Sequence, residues 1–142
     1  MMLYWLYTSL THCMIVNLEV ARCKQTWPNR SRWCYETDTQ NWIASAEYDL
    51  ATAQHMLTTG RFLYVIFCCH IALEKILKAH VTSVTESFAP KTHDLIFLIK
   101  KSGLVLPLPL LDFISKINNA SIPTRYPEDL SRALMDYPES VA

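Results

Sequence analysis

Only two glycines, Gly60 and Gly103, punctuate the 142 residues. A β-rich chain with many tight turns needs more of them, so the scarcity sets that class aside and favours helices. An excess of one charge is also missing, since thirteen basic residues meet thirteen acidic ones. The first forty residues hold four of the basic and three of the acidic groups, which leaves the remainder at −1. A field that draws nucleic acid indiscriminately is thereby excluded, whereas a local basic patch is not. No Cys-x-x-Cys spacing occurs. Cys13, Cys23, Cys34, Cys68 and Cys69 are odd in number, and the adjacent Cys68 and Cys69 cannot easily bridge each other, so all five are read as reduced thiols of a cytoplasmic protein. The Glu-x-x-His pairs of di-iron bundles, a His-Glu-x-x-His helix, a glycine-rich phosphate loop and a Gly-x-Ser-x-Gly elbow are all lacking. Neither metal nor cofactor is expected.

A long apolar run of membrane-spanning length is absent too. Met1 to Val16 is apolar but is broken by Thr8, Ser9, Thr11 and His12, has no basic start, and falls short of the roughly 20 residues a spanning helix requires. Arg22, Lys24, Arg30 and Arg32 follow without periodicity around Pro28. Residues 1–40 are therefore expected to be a poorly ordered or non-native N-terminal extension, with no membrane role. Residues 41–142 form the domain.

What is present there is helical periodicity. Asp38 or Thr39 is placed to cap a helix starting near Asn41, in which Trp42, Ala46, Leu50, Ala53 and Leu57 make one apolar face. Gly60 ends it as a C-cap, and Arg61 opens the next helix with no room for a long loop, which predicts an antiparallel hairpin. Phe62 to Cys69 is eight consecutive apolar residues, a pattern that belongs to a central helix. That helix is expected to run to about Val81, with a loop from Thr82 to Lys91. Thr92 is expected to cap a third helix that Gly103 closes, with His93 in its first turn. A fourth helix is predicted from Leu110 to about Asn118, a loop from Asn119 to Pro127, and a short last helix from Glu128 to Asp136. The fold class is all-α, a bundle of four to five helices.

Three groups of residues could carry chemistry. His70, Glu74 and Lys78 are spaced i, i+4, i+8 on one face of the central helix, with Lys75 about 100° away. They read either as a polar strip lining a groove for a phosphate or an acidic partner, or as an intrahelical ion pair at the bundle edge. His93 beside a helix start could meet an anion, or simply pack against the cap. Arg125 and Tyr126 pair a cation with an aromatic, which suits a phosphate or a base, or serves as a loop anchor bonded to Glu128 or Asp129.

Four blocks in order complete the pattern. They are Trp42 with Asp49-Leu50, then Cys69-His70-Ile71-Ala72-Leu73-Glu74-Lys75-Ile76-Leu77-Lys78-Ala79, then Pro90-Lys91-Thr92-His93-Asp94-Leu95, and last Arg125-Tyr126-Pro127-Glu128. In this order they resemble the HEPN domain family from about Trp42 to Tyr137. The resemblance implies an up-and-down antiparallel bundle that dimerises and that is often encoded beside a minimal nucleotidyltransferase as a toxin–antitoxin pair. Catalytic members are metal-independent ribonucleases with an arginine, four to six residues, then a histidine. Here Arg61 reaches His70 only across eight residues, and no histidine follows Arg125. The chain therefore resembles the Arg-Tyr-Pro branch, without that motif. Family members usually continue into a long closing helix, so the C-terminal helix is expected to be truncated.

The leading expectation is a non-catalytic binding module for a nucleotidyltransferase partner and a nucleotide or RNA. Its site would draw on His70, Glu74, Lys75, Lys78, His93, Arg125 and Tyr126. The alternatives are a divergent ribonuclease, in which Arg125 converges with His70 or His93, and a truncated remnant without function.

Overall fold

A computed structural model describes residues 30–141, with side chains from Asp38 onward; what the sequence suggested for residues 1–29 lies outside the described residues. Five helices follow one another. They are α1 (Arg30–Thr58), α2 (Phe62–Thr85), α3 (Leu95–Ser102), α4 (Leu108–Arg125) and α5 (Leu130–Asp136). Among the described residues all regular structure is helical, so the all-α bundle expected from the glycine scarcity and the periodicity is what forms.

The turn between α1 and α2 shows why the chain reverses where it does. Gly60 takes φ +69, a left-handed conformation that costs glycine nothing. Its N–H donates to the carbonyl of Leu57 at 3.1 Å, and the N–H of Arg61 donates to that of Met56 at 2.8 Å. This paired arrangement satisfies carbonyls that the helix end leaves open. The two helices then run antiparallel: Asp49 meets Lys75 while Trp42 meets Lys78, so numbers fall along one helix as they rise along the other.

Helix α2 is the hub, packing against each of the other four. Leu73, Ile76, Leu77 and Val81 from α2 join Ala46 of α1, Leu95, Leu98 and Ile99 of α3, and Ile114 and Ile117 of α4 in the main core. A second cluster near the hairpin joins Ala53 to Val65, Cys68 and Cys69. Cys68 and Cys69 are free thiols, buried in that cluster. Burial raises both, Cys69 to about 12, so neither is a ready nucleophile. No described helix is long and apolar enough to cross a membrane.

Several boundaries differ from the sequence expectation. Helix α1 begins at Arg30 rather than near Asn41, so Asp38 and Thr39 lie inside it and not at its start. Helix α2 runs on to Thr85 and ends on Glu86 at φ 48. The cap of α3 is Asp94, whose carboxylate accepts from the N–H groups of Ile96 and Phe97. Thr92 instead accepts from the N–H of Asp94, which leaves His93 just before the helix and not in its first turn. Helix α4 spans Leu108–Arg125, so most of the expected loop is helix and Arg125 closes it. Pro123 is tolerated because it sits in the last turn, where its missing N–H forfeits only the bond to the Asn119 carbonyl. Helix α5 begins at Leu130, capped by the Asp129 carboxylate on Ser131 and Arg132.

Candidate functional site

The polar strip of α2 is not at the bundle edge. His70 is fully buried, and Glu74 and Lys78 are 6% and 7% exposed. Charges this deep must be paired, and Glu74 is where the pairs meet. Its Oε1 accepts from Lys78 Nζ at 2.7 Å, the i,i+4 partner on the same helix. Its Oε2 lies 2.9 Å from His93 Nδ1 and 4.0 Å from Arg125 Nη2. Burial pushes the Glu74 carboxyl up, but the hydrogen bonds from Lys78 and His93 outweigh it and hold the group below its ordinary value. An ionised carboxylate only accepts, so His93 donates through Nδ1.

The neighbouring cations are held in turn. Lys78 Nζ sits 5.3 Å from the centre of the Trp42 ring, and the Arg125 guanidinium lies at the same distance from Phe67. Such contacts offset part of the desolvation that burial imposes on a cation. Lys75 Nζ pairs with Asp49 Oδ2 at 2.6 Å.

Arg125 also donates through Nη2 to His70 Nδ1, at 3.4 Å. Since a guanidinium cannot accept, Nδ1 must be unprotonated and the ring neutral. Burial lowers His70 to about 4, and the Arg125 charge adds to the effect, against weaker opposition from Glu74 and the His93 backbone. His70 is thus a buried acceptor that aims Arg125, with no surface from which to touch a substrate.

In front of these groups opens a cavity of about 470 Å³. Tyr64, Phe67, Ile71 and Tyr126 give it an apolar wall; Glu74, Lys75, His93 and Arg125 give it a polar one. Of the residues picked from sequence, Glu74, Lys75, His93, Arg125 and Tyr126 line this space, whereas His70 and Lys78 stand behind it. The ion partner expected for Arg125, Glu128 or Asp129, gives way to Glu74, because the arginine ends a helix instead of riding a loop. Trp42 and Asp49 entered the sequence reading as packing and as the first family block, and neither they nor Tyr64 and Phe67 were picked as site residues. Asp49 carried a usable signal: a carboxylate seven residues after Trp42 falls on the same face of α1.

Chemically the arrangement favours an anion. Lys75, Lys78 and Arg125 are three cations against the two carboxylates Asp49 and Glu74. The Arg125 guanidinium is only loosely engaged: Nη2 meets its partners at 3.4 and 4.0 Å, and Nε is buried without a partner. Among the described residues, no group of three or more His, Cys, Asp or Glu side chains is placed to hold a metal ion.

Comparison with known proteins adds one finding to this geometry. No curated protein and no solved structure matches the chain. A family model described as the HEPN domain matches residues 39–140, which takes in every helix from the middle of α1 to the end of α5 and all the residues of the site. The chain belongs to the HEPN domain family.

Proposed function

We propose that the cavity binds the phosphate of a nucleotide, in a protein that acts as a non-catalytic module beside a minimal nucleotidyltransferase. The observation that carries this reading is the under-used guanidinium of Arg125, fixed by His70 and Phe67 at the edge of a space that Lys75 and His93 also line. A bidentate donor with spare N–H groups suits a phosphate, and the exposed rings of Tyr64 and Tyr126 suit a base lying against the same wall. A homodimer and a toxin–antitoxin setting belong to the same proposal and rest on the family.

Calorimetric titration with AMP tests the site. Binding by the intact chain and a loss of about tenfold or more in Arg125→Ala are expected, on the order of one charge-assisted hydrogen bond. Equal affinity in Arg125→Ala and in Lys75→Ala would refute the assignment. Co-purification with a nucleotidyltransferase encoded beside the gene tests the partner.

A second reading, a divergent ribonuclease, is favoured by one observation: Arg125 does converge with both imidazoles, reaching His70 directly and His93 through Glu74. His70 is sealed in, so only His93 could serve as base. With Nδ1 given to Glu74, its Nε2 would take the proton of a 2′-hydroxyl as that oxygen attacks the adjacent phosphorus and expels the 5′-oxygen. RNA cleavage that disappears in His93→Ala, without added metal, would decide for it.

A further inference from the structure

The cavity has a support that does not line it. Lys78 is buried, stands behind Glu74, and touches nothing in the open space. Its ammonium is nonetheless held on two sides, by the Trp42 ring at 5.3 Å and by Glu74 Oε1 at 2.7 Å. With Oε1 occupied, Glu74 can offer only Oε2 forward, and this is the oxygen that His93 and Arg125 share. The two oxygens are equivalent, so what a buried cation on one of them fixes is the plane of the carboxylate: with Oε1 held by Lys78, the other oxygen is kept facing His93 instead of turning out of line with it. Trp42 stands on α1, Lys78 and Glu74 on α2, and His93 on the segment before α3, so the connection runs through three parts of the chain.

We propose that Lys78, seated on Trp42, is a positioning residue: through Glu74 it pins the His93 ring as the Nδ1–H tautomer and leaves Nε2 as the nitrogen free to meet a ligand. The proposal rests on the phosphate-binding reading for its purpose, but its geometry stands apart from that reading. A histidine's tautomer is set by the hydrogen bond its other nitrogen makes, and here that bond is Nδ1–H to Glu74. A ligand phosphate then finds either a lone pair or, once the ring is protonated, a donor at Nε2. Without the pin, the neutral ring reverts toward the Nε2–H form that free imidazole side chains favour.

Ring-nitrogen NMR of the full chain, labelled at histidine and held at a pH where His93 is neutral, reads this directly. The intact protein is expected to show His93 protonated at Nδ1. In Lys78→Met more than about half of the neutral rings should carry the proton on Nε2 instead, while Lys78→Arg retains the Nδ1–H form. A role in stability alone would lower the melting temperature of Lys78→Met and leave the His93 tautomer as it was; that outcome overturns the proposal, as does an Nε2–H ring in the intact protein. Should Lys78→Met fail to fold, Trp42→Leu keeps the charge and removes its seat. A partial shift of the His93 tautomer is expected there, and no shift overturns the proposal equally. Titration of the same samples with inorganic phosphate separates the two ideas. If phosphate does not bind the intact chain, the nucleotide reading fails while the tautomer result still decides the role of Lys78.

Discussion

Arg125 and His70, fifty-five residues apart in the chain, meet at 3.4 Å with the guanidinium donating to the imidazole. Two residues that could both be cations are thus held as a donor and an acceptor, which demands that the histidine stay neutral. The contact ties the end of α4 to the middle of α2 and sets the direction in which Arg125 faces the cavity.

Burial of His70, with the Arg125 charge adding to it, gives the fold an acid limb. His70 titrates at about 4 in the folded chain against 6.5 when exposed, so below pH 6.5 the unfolded state binds a proton that the folded state refuses. Stability should therefore fall by about 3 kcal/mol between pH 6.5 and 4 and lose nothing more from this group below that. His80, also lowered by burial, acts in the same direction. Glu74 has the carboxylate form of the effect: its folded value is depressed, so its contribution is whole above the usual carboxylate range and disappears as pH falls through the lowered value. Urea unfolding at a series of pH values checks the slope, and His70→Gln should flatten it.

The buried pair predicts a strong asymmetry between single and double substitutions. Lys78→Met leaves Glu74 buried with its closest cation gone and should cost about 3–5 kcal/mol. Glu74→Gln leaves Lys78 in the same position and should cost a similar amount. The double substitution removes both charges and should cost clearly less than the sum of the two. Denaturant midpoints for the four proteins of the cycle measure it.

Lys75 should behave unlike Arg125 in ligand binding, because its charge is already shared with Asp49 at 2.6 Å. Asp49→Asn frees the ammonium and should tighten inorganic phosphate binding several-fold, by about 1 kcal/mol. Lys75→Ala should weaken it less than Arg125→Ala does. Titrations at two salt concentrations check both statements, and the gain in Asp49→Asn should shrink as salt rises.

Gly60 offers a test of the hairpin free of steric complication. A Cβ built there meets nothing within 4 Å, so Gly60→Ala carries only the strain of φ +69. A loss of about 1 kcal/mol is expected, with the unfolding slope unchanged.

Helix type and order were legible because apolar spacing is a direct image of which face a helix buries. The eight apolar residues from Phe62 to Cys69 marked α2 as central, and every other helix does pack on it. Boundaries were less legible where the signal is local and the outcome is not. Nothing periodic marks Arg30 to Gln40, yet the helix extends through them. The expected loop from Asn119 to Pro127 is mostly helix, and the Pro123 within it interrupts only one backbone bond because it stands in the last turn. For the site, the i, i+4, i+8 strip of His70, Glu74 and Lys78 was visible from spacing alone. That the strip is buried was not, since burial is decided by α1, α4 and the segment holding His93 closing over it. Phe67 was missed for the same reason, since a core aromatic acquires meaning only from the cation that arrives opposite it, whereas Asp49 had its spacing from Trp42 to show it.

Pro123 has one further consequence, for motion. Pro123 has no N–H to give the carbonyl of Asn119, so the last turn of the helix, which bears Arg125, is one backbone bond short; there the Tyr126 N–H donates to Ile122 and the Thr124 hydroxyl to Ala120. The guanidinium therefore rides on a turn that lacks one backbone bond, while the groups that aim it, His70 and Phe67, stand on α2 in the middle of the bundle. Amide exchange should run faster at the end of α4 than in its middle turns. A ligand that grips Arg125 would slow that exchange and stiffen the turn, so occupancy of the cavity should be readable from the backbone of α4 without any change of fold.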